Sequence, residues 1–100
     1  LLEWLKEKPQ DSFLRFALAQ EYQKAEMYDK AVHEYKTLMS HDPQYVGMYY
    51  HLGECLAKLT LEQEALDIYQ KGMQVAQDLG DLHALSELKN AYTNLEMGLI

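Results

Sequence analysis

His51 and Cys55 stand four residues apart with Glu54 beside them, the one grouping in the chain whose residue types and spacing suggest chemistry. On a helix this spacing sets an imidazole and a thiol on one face, as two metal ligands or a crude nucleophile and base would need. The plainer reading is packing, because a free cysteine commonly serves as a small hydrophobe. His33, His41 and His83 have no His or Cys partner at a metal-binding spacing, and the five glycines, at 47, 53, 72, 80 and 98, are too scattered to form a phosphate-cradling loop. The expectation is therefore no enzyme, no metal and no cofactor, with function sought in binding.

Composition narrows the partner. The net charge of -7 argues against nucleic acid, since such binders cluster Lys and Arg to displace counterions from phosphates. Residues 12 to 45 carry four basic and five acidic side chains, whereas residues 46 to 79 carry two and five. No run is long enough to span a bilayer and no basic-then-apolar leader is visible. Cys55 stands alone, so no intramolecular disulfide is possible. A single soluble domain in the cytoplasm, with no membrane partner, is the expectation for these 100 residues, of which 48% are hydrophobic.

The elements that would position any site follow from a repeat of 34 residues. Pro9-Gln10 recurs as Pro43-Gln44, Leu18 as Leu52, Lys24 as Lys58, Ala31 as Ala65, Tyr35 as Tyr69 and Met39 as Met73. A period of 20 to 50 residues marks units that bury their apolar faces against one another. Each unit reads as a helical hairpin. Leu14, Ala17, Leu18, Tyr22 and Ala25 have the spacing of one helix face after the capping pair Asp11-Ser12. A second helix runs from about Tyr28 to Ser40, until His41-Asp42-Pro43 stops it. Residues 46 to 58 and 62 to 79 repeat the arrangement. Gly80 is suited to close that last helix and Asp81 to cap a fifth.

The expected fold is all-α, an α-α superhelix of antiparallel hairpins with about five main helices. Residues 1 to 8 form an amino-terminal helical cap, 12 to 45 the first repeat, 46 to 79 the second, and 81 to 97 a capping helix that is apolar on one side and polar on the other. The cap at the amino end aligns Leu1 with Tyr35, Trp4 with Leu38 and Leu5 with Met39. Small residues, Ala19, Gly53, Ala31 and Ala65, stand where hairpin helices must approach closely.

With these residues in place, the chain resembles the tetratricopeptide repeat family. The first unit offers Leu18-Ala19, Tyr22, Ala31, Tyr35 and Pro43 at the family's offsets, and the second offers Tyr49, Leu52-Gly53, Leu56, Ala65 and Tyr69. It departs at Arg15, where the signature has a large aromatic, at Leu56 in place of Tyr, and at Gln77, where a Pro would end the second unit. Without that Pro the fourth helix can run on to about Leu79.

The resemblance implies a concave groove, lined by the first helix of each unit, that holds a peptide or a partner's helix. By alignment it would show Phe13, Phe16, Ala17, Gln20, Gln23 and Lys24, then Gly47, Tyr50, His51, Glu54 and Lys58, continued by Glu87 and Asn90. Phe16 and Tyr50 occupy one repeat position and are expected as exposed aromatic anchors. Lys24 and Lys58 have two readings: gripping a ligand carboxylate, or favouring the negative pole of a helix end. Family members that clamp a chaperone's carboxylate terminus use Lys and Asn where this chain has Phe16, Gln20 and His51, so that clamp is not expected. The expected function is a non-catalytic adaptor or scaffold for a protein or peptide partner. The alternative is self-assembly, as a homodimer through Leu1, Leu2, Trp4 and Leu5 at one end or Met97 to Ile100 at the other, or as one segment of a larger solenoid.

Overall fold

In the computed structural model, which describes residues 1 to 98, six helices follow one another: α1 (Leu2–Glu7), α2 (Ser12–Lys24), α3 (Tyr28–His41), α4 (Gly47–Lys58), α5 (Glu62–Leu79) and α6 (Leu82–Glu96). No strand occurs among the described residues. The fold is the all-α helical repeat expected, with α1 as a sixth, short helix at the amino-terminal cap position.

Local chemistry sets the ends. Asp11 accepts a hydrogen bond from the Leu14 amide at 3.0 Å and Asp81 from the Ala84 amide at 3.0 Å, so α2 and α6 begin under side-chain caps. Three turns share one closing bond: Met27 N–H to the Tyr22 carbonyl, Leu61 N–H to Leu56 and Asp81 N–H to Ala76, each 2.9 Å. All need a left-handed residue just before the donor. Gly80 supplies it at φ 71°, but Glu26 at 59° and Thr60 at 62° do so without glycine. With no Pro to stop it, α5 extends to 18 residues, against 14 in α3.

Each helix from α2 to α5 packs on the next, α5 packs on α6, and α4 also reaches α6. The α4–α6 contact, with the Gln23–Glu54 hydrogen bond from α2 to α4, lines up α2, α4 and α6 along one face of the superhelix. The body measures 42 × 30 × 17 Å. Its centre is made by Tyr35, Leu38, Met48, Tyr49, Leu52, Cys55, Leu56 and Leu88, all fully buried. Two glycines allow this closeness. A Cβ on Gly53 would enter the Tyr69 ring, and one on Gly72 would meet the Tyr49 Cβ at 2.5 Å and a Leu88 methyl at 3.0 Å. Gly72 carries no repeat signal, and only packing reveals its role.

Arg15 fills its aromatic position by another chemistry. Its guanidinium pairs with Glu34 at 2.5 Å and donates to the Pro9 carbonyl at 3.1 Å. One repeat later the Tyr49 hydroxyl donates to the Pro43 carbonyl at 2.6 Å. Both side chains therefore tie the same proline carbonyl to their helix. At the amino end Leu5 is buried, whereas Trp4 is 59% exposed although its counterpart Leu38 is 1% exposed. Of the apolar carboxy-terminal residues, Met97 is exposed, and Leu99 and Ile100 lie outside the described residues.

Candidate functional site

A line of rings runs across the shared face of α2 and α4. The Phe16 ring lies 5.2 Å from Tyr45, 5.9 Å from Tyr35 and 5.6 Å from His51, centre to centre. His51 stacks on Tyr35 at 6.2 Å and 14°, and meets Tyr50 edge-on at 5.5 Å. Tyr50 then lies 6.5 Å from Tyr69. The repeat period generates this line, because α2 and α4 each place an aromatic residue at one offset and α3 and α5 a tyrosine beneath it.

Phe16 and Tyr50 are half-buried and packed on the core. The exposed aromatic of α2 is Phe13, at 68%. The anchors expected to stand free thus form the floor of the face, and the reason is that Phe16 fits between Tyr35, Tyr45 and His51.

Polar groups cross the same face. The Tyr35 hydroxyl donates to Gln23 Oε1 at 2.7 Å, and the Gln23 amide donates to Glu54 Oε1 at 2.6 Å. This chain of bonds spans α3, α2 and α4. Beyond it opens a hollow of about 400 Å³, lined by Tyr50, Glu54, Ala57 and Lys58 of α4, Glu62 and Tyr69 of α5, and Ala91, Asn94 and Leu95 of α6.

The structure therefore brings Tyr50, Glu54 and Lys58 together, with His51 packed beside them. Lys24 ends α2 as Lys58 ends α4, each as the basic residue of a last turn. Gln20 is half-buried on α2, and Glu87 is exposed on α6. Asn90 borders a separate hollow with Leu82, Leu85, Ser86 and Lys89. Sequence reasoning missed the α5 wall and reached α6 through Glu87 and Asn90 rather than Ala91, Asn94 and Leu95; α6 sits 36 residues after α4 in its leucine register, so the repeat offset does not carry across.

Burial sets the electrostatics. The Tyr35, Tyr50 and Tyr69 hydroxyls are shifted upward by desolvation first, with the nearby Glu54 charge adding to it. Desolvation holds His51 below its ordinary value against the opposing pull of Glu54 and Glu87, and its Nδ1 is buried without a hydrogen-bond partner. The Cys55 thiol, fully buried, is pushed up to about 12, chiefly by burial. A thiol so held is a poor nucleophile and ligand at neutral pH. Among the described residues no group of three or more His, Cys, Asp or Glu could hold a metal ion.

The same architecture occurs in solved structures. The solution structure of a tetratricopeptide repeat domain protein from Salinibacter ruber is 41% identical to this chain, covers 88% of it and 89% of that chain, and superposes with a TM-score of 0.83. This chain belongs to the tetratricopeptide repeat family. A crystal structure of a tetratricopeptide repeat domain protein from the same organism matches at 41% identity over 86% of this chain and 97% of that one, TM-score 0.81. A protein from Bordetella parapertussis, solved in solution, matches at 25% identity over 96% and 84%, TM-score 0.85. No protein-family model and no curated protein matches the chain. Tetratricopeptide repeats are helical modules generally involved in protein–protein interaction, and no described helix of this one is long and apolar enough to cross a membrane.

Proposed function

We propose that this tetratricopeptide repeat domain is a non-catalytic adaptor that holds a segment of a partner protein along the face shared by α2, α4 and α6. The observation that carries this reading is the hollow of about 400 Å³ in which Tyr50, Glu54 and Lys58 meet the α5 and α6 walls. Aromatic edges with a few fixed polar groups in a concave site are what a binding hot spot requires. Gln20, Gln23 and Phe13 extend the face along α2 and give an extended segment further contacts.

The test is to pan displayed random peptides against the domain and map the winners by amide shifts in NMR spectra. Perturbations centred on Tyr50, Glu54, Lys58 and Ala91 are expected. Shifts confined to Leu2 and Trp4, or to Leu82 and Met97, would overturn the groove. They would favour the second reading, self-assembly, for which the observation is the exposure of Leu2, Trp4, Leu82 and Met97 at the two ends. A mass by sedimentation that doubles with concentration would point the same way.

A further inference from the structure

The hollow between α4, α5 and α6 has a charge that its own walls leave unanswered. Glu54 and Glu62 bring carboxylates to it and Lys58 one ammonium. The ion pairs among the described residues, Arg15 with Glu34 and Lys36 with Glu64, involve none of the three. The Glu87 carboxylate acts on the same corner, since its field reaches both Tyr50 and His51.

Glu54 is also fixed in place. Gln23 holds one carboxylate oxygen at 2.6 Å and is itself held at 2.7 Å by the hydroxyl of Tyr35, a residue with no exposed surface. A preorganised carboxylate loses little freedom when it pairs. Beside it the half-buried Tyr50 stands 6.5 Å from the buried Tyr69 ring, and an aromatic face attracts a cation and covers an aliphatic stem. A purely apolar occupant would strip water from Glu54 and leave it unpaired, which is costly. An anionic occupant would face two carboxylates with only Lys58 in its favour.

We propose that this hollow is a specificity pocket for a Lys or Arg side chain of the bound partner segment, with Glu54 as its charge partner and Tyr50, backed by the buried Tyr69, covering its stem. The assignment rests on the groove reading and gives the occupant a chemistry. Random peptides panned against the intact domain should share a basic residue at one position. Replacing that residue by citrulline for Arg, or norleucine for Lys, should weaken binding to the native domain about 10- to 100-fold, the range of a charge-assisted hydrogen bond. Glu54→Gln, checked for folding by circular dichroism, should weaken the basic peptide similarly and no longer distinguish the neutral analogue. Lys58→Gln should bind the basic peptide at least as tightly as the native domain. Groove-mapped peptides with no basic preference would overturn the pocket assignment and leave the groove standing, and selection of acidic peptides would overturn it in favour of Lys58 as the contact. Absence of any groove-mapped peptide would remove both.

Discussion

Two glycines on α4 should answer the same substitution with opposite signs. Replacing Gly by Ala inside a helix gains about 1 kcal/mol from backbone entropy and propensity. At Gly53 the added carbon would lie 2.7 Å from both Cδ1 and Cζ of Tyr69, and nearer still to Cε1. That is about 1 Å inside the separation at which carbon atoms attract. Tyr69 is 2% exposed and Tyr50 lies 6.5 Å from it, so the ring can make room only by shifting toward the hollow it helps to line. Overpacking of this kind costs about 3 kcal/mol at the upper end of its usual range. The net loss is then about 2 kcal/mol, or a melting point about 8 to 16 °C lower for a chain of this size. Gly47→Ala meets nothing within 4 Å and should stabilise by about 0.5 kcal/mol. Thermal unfolding followed by circular dichroism at 222 nm (a wavelength of about the helical minimum) tests both variants. The Gly53→Ala loss should shrink when Tyr69→Val is added, a non-additivity that identifies the ring as the cause. A Gly53→Ala domain that melts at or above the native temperature would refute the packing argument.

Other changes follow from single residues. Thr60→Gly should raise stability by about 0.5 to 1 kcal/mol in urea titration, because Thr60 is a β-branched residue held at φ 62°, where left-handed backbone costs about 1 to 2 kcal/mol, partly offset by glycine's unfolded-state freedom. His51 is held below its ordinary value of 6.5, so below that pH the unfolded chain takes up a proton that the folded one resists. Stability should fall with decreasing pH through this window, by at most about 1.4 kcal/mol per pH unit, and the slope should be smaller in His51→Gln. The Cys55 thiol, buried and raised to about 12, should stay unlabelled by a thiol reagent at neutral pH and react fully once denaturant unfolds the domain.

The backbone of this fold is close to the surface of its sequence. The identities at Leu18 and Leu52, Ala31 and Ala65, and Tyr35 and Tyr69 marked the hairpins because each unit must offer the next the same apolar relief. Asp11, Gly80 and Asp81 marked helix ends because caps are local chemistry, and the missing Pro at Gln77 foretold the length of α5. What stayed hidden depends on contacts between helices. Gly72 matters only because Tyr49 and Leu88 press on it. Arg15 looked like a departure until its bonds to Glu34 and the Pro9 carbonyl showed it replacing the tyrosine of the next unit. The hollow draws Glu62 and Tyr69 from α5, which the alignment of first helices does not select, and Ala91, Asn94 and Leu95 from α6, where that alignment pointed to Glu87 and Asn90 instead. Phe16 was readable as aromatic and in register, but its burial depends on where Tyr45 and His51 come to rest.

The hydrogen bond from Gln23 to Glu54 joins two helices of unequal standing. Of α2 only Leu18 and Ala19 are buried, whereas α4 buries Met48, Tyr49, Leu52, Gly53, Cys55 and Leu56. Local opening begins where few apolar contacts hold the chain, so the amides of α2 should exchange with solvent before those of α4. The face that carries the rings therefore spans a lightly anchored helix and a deeply anchored one. An occupant lying across Gln23 and Glu54 would clasp the two together, and its affinity would include the work of holding α2 in place.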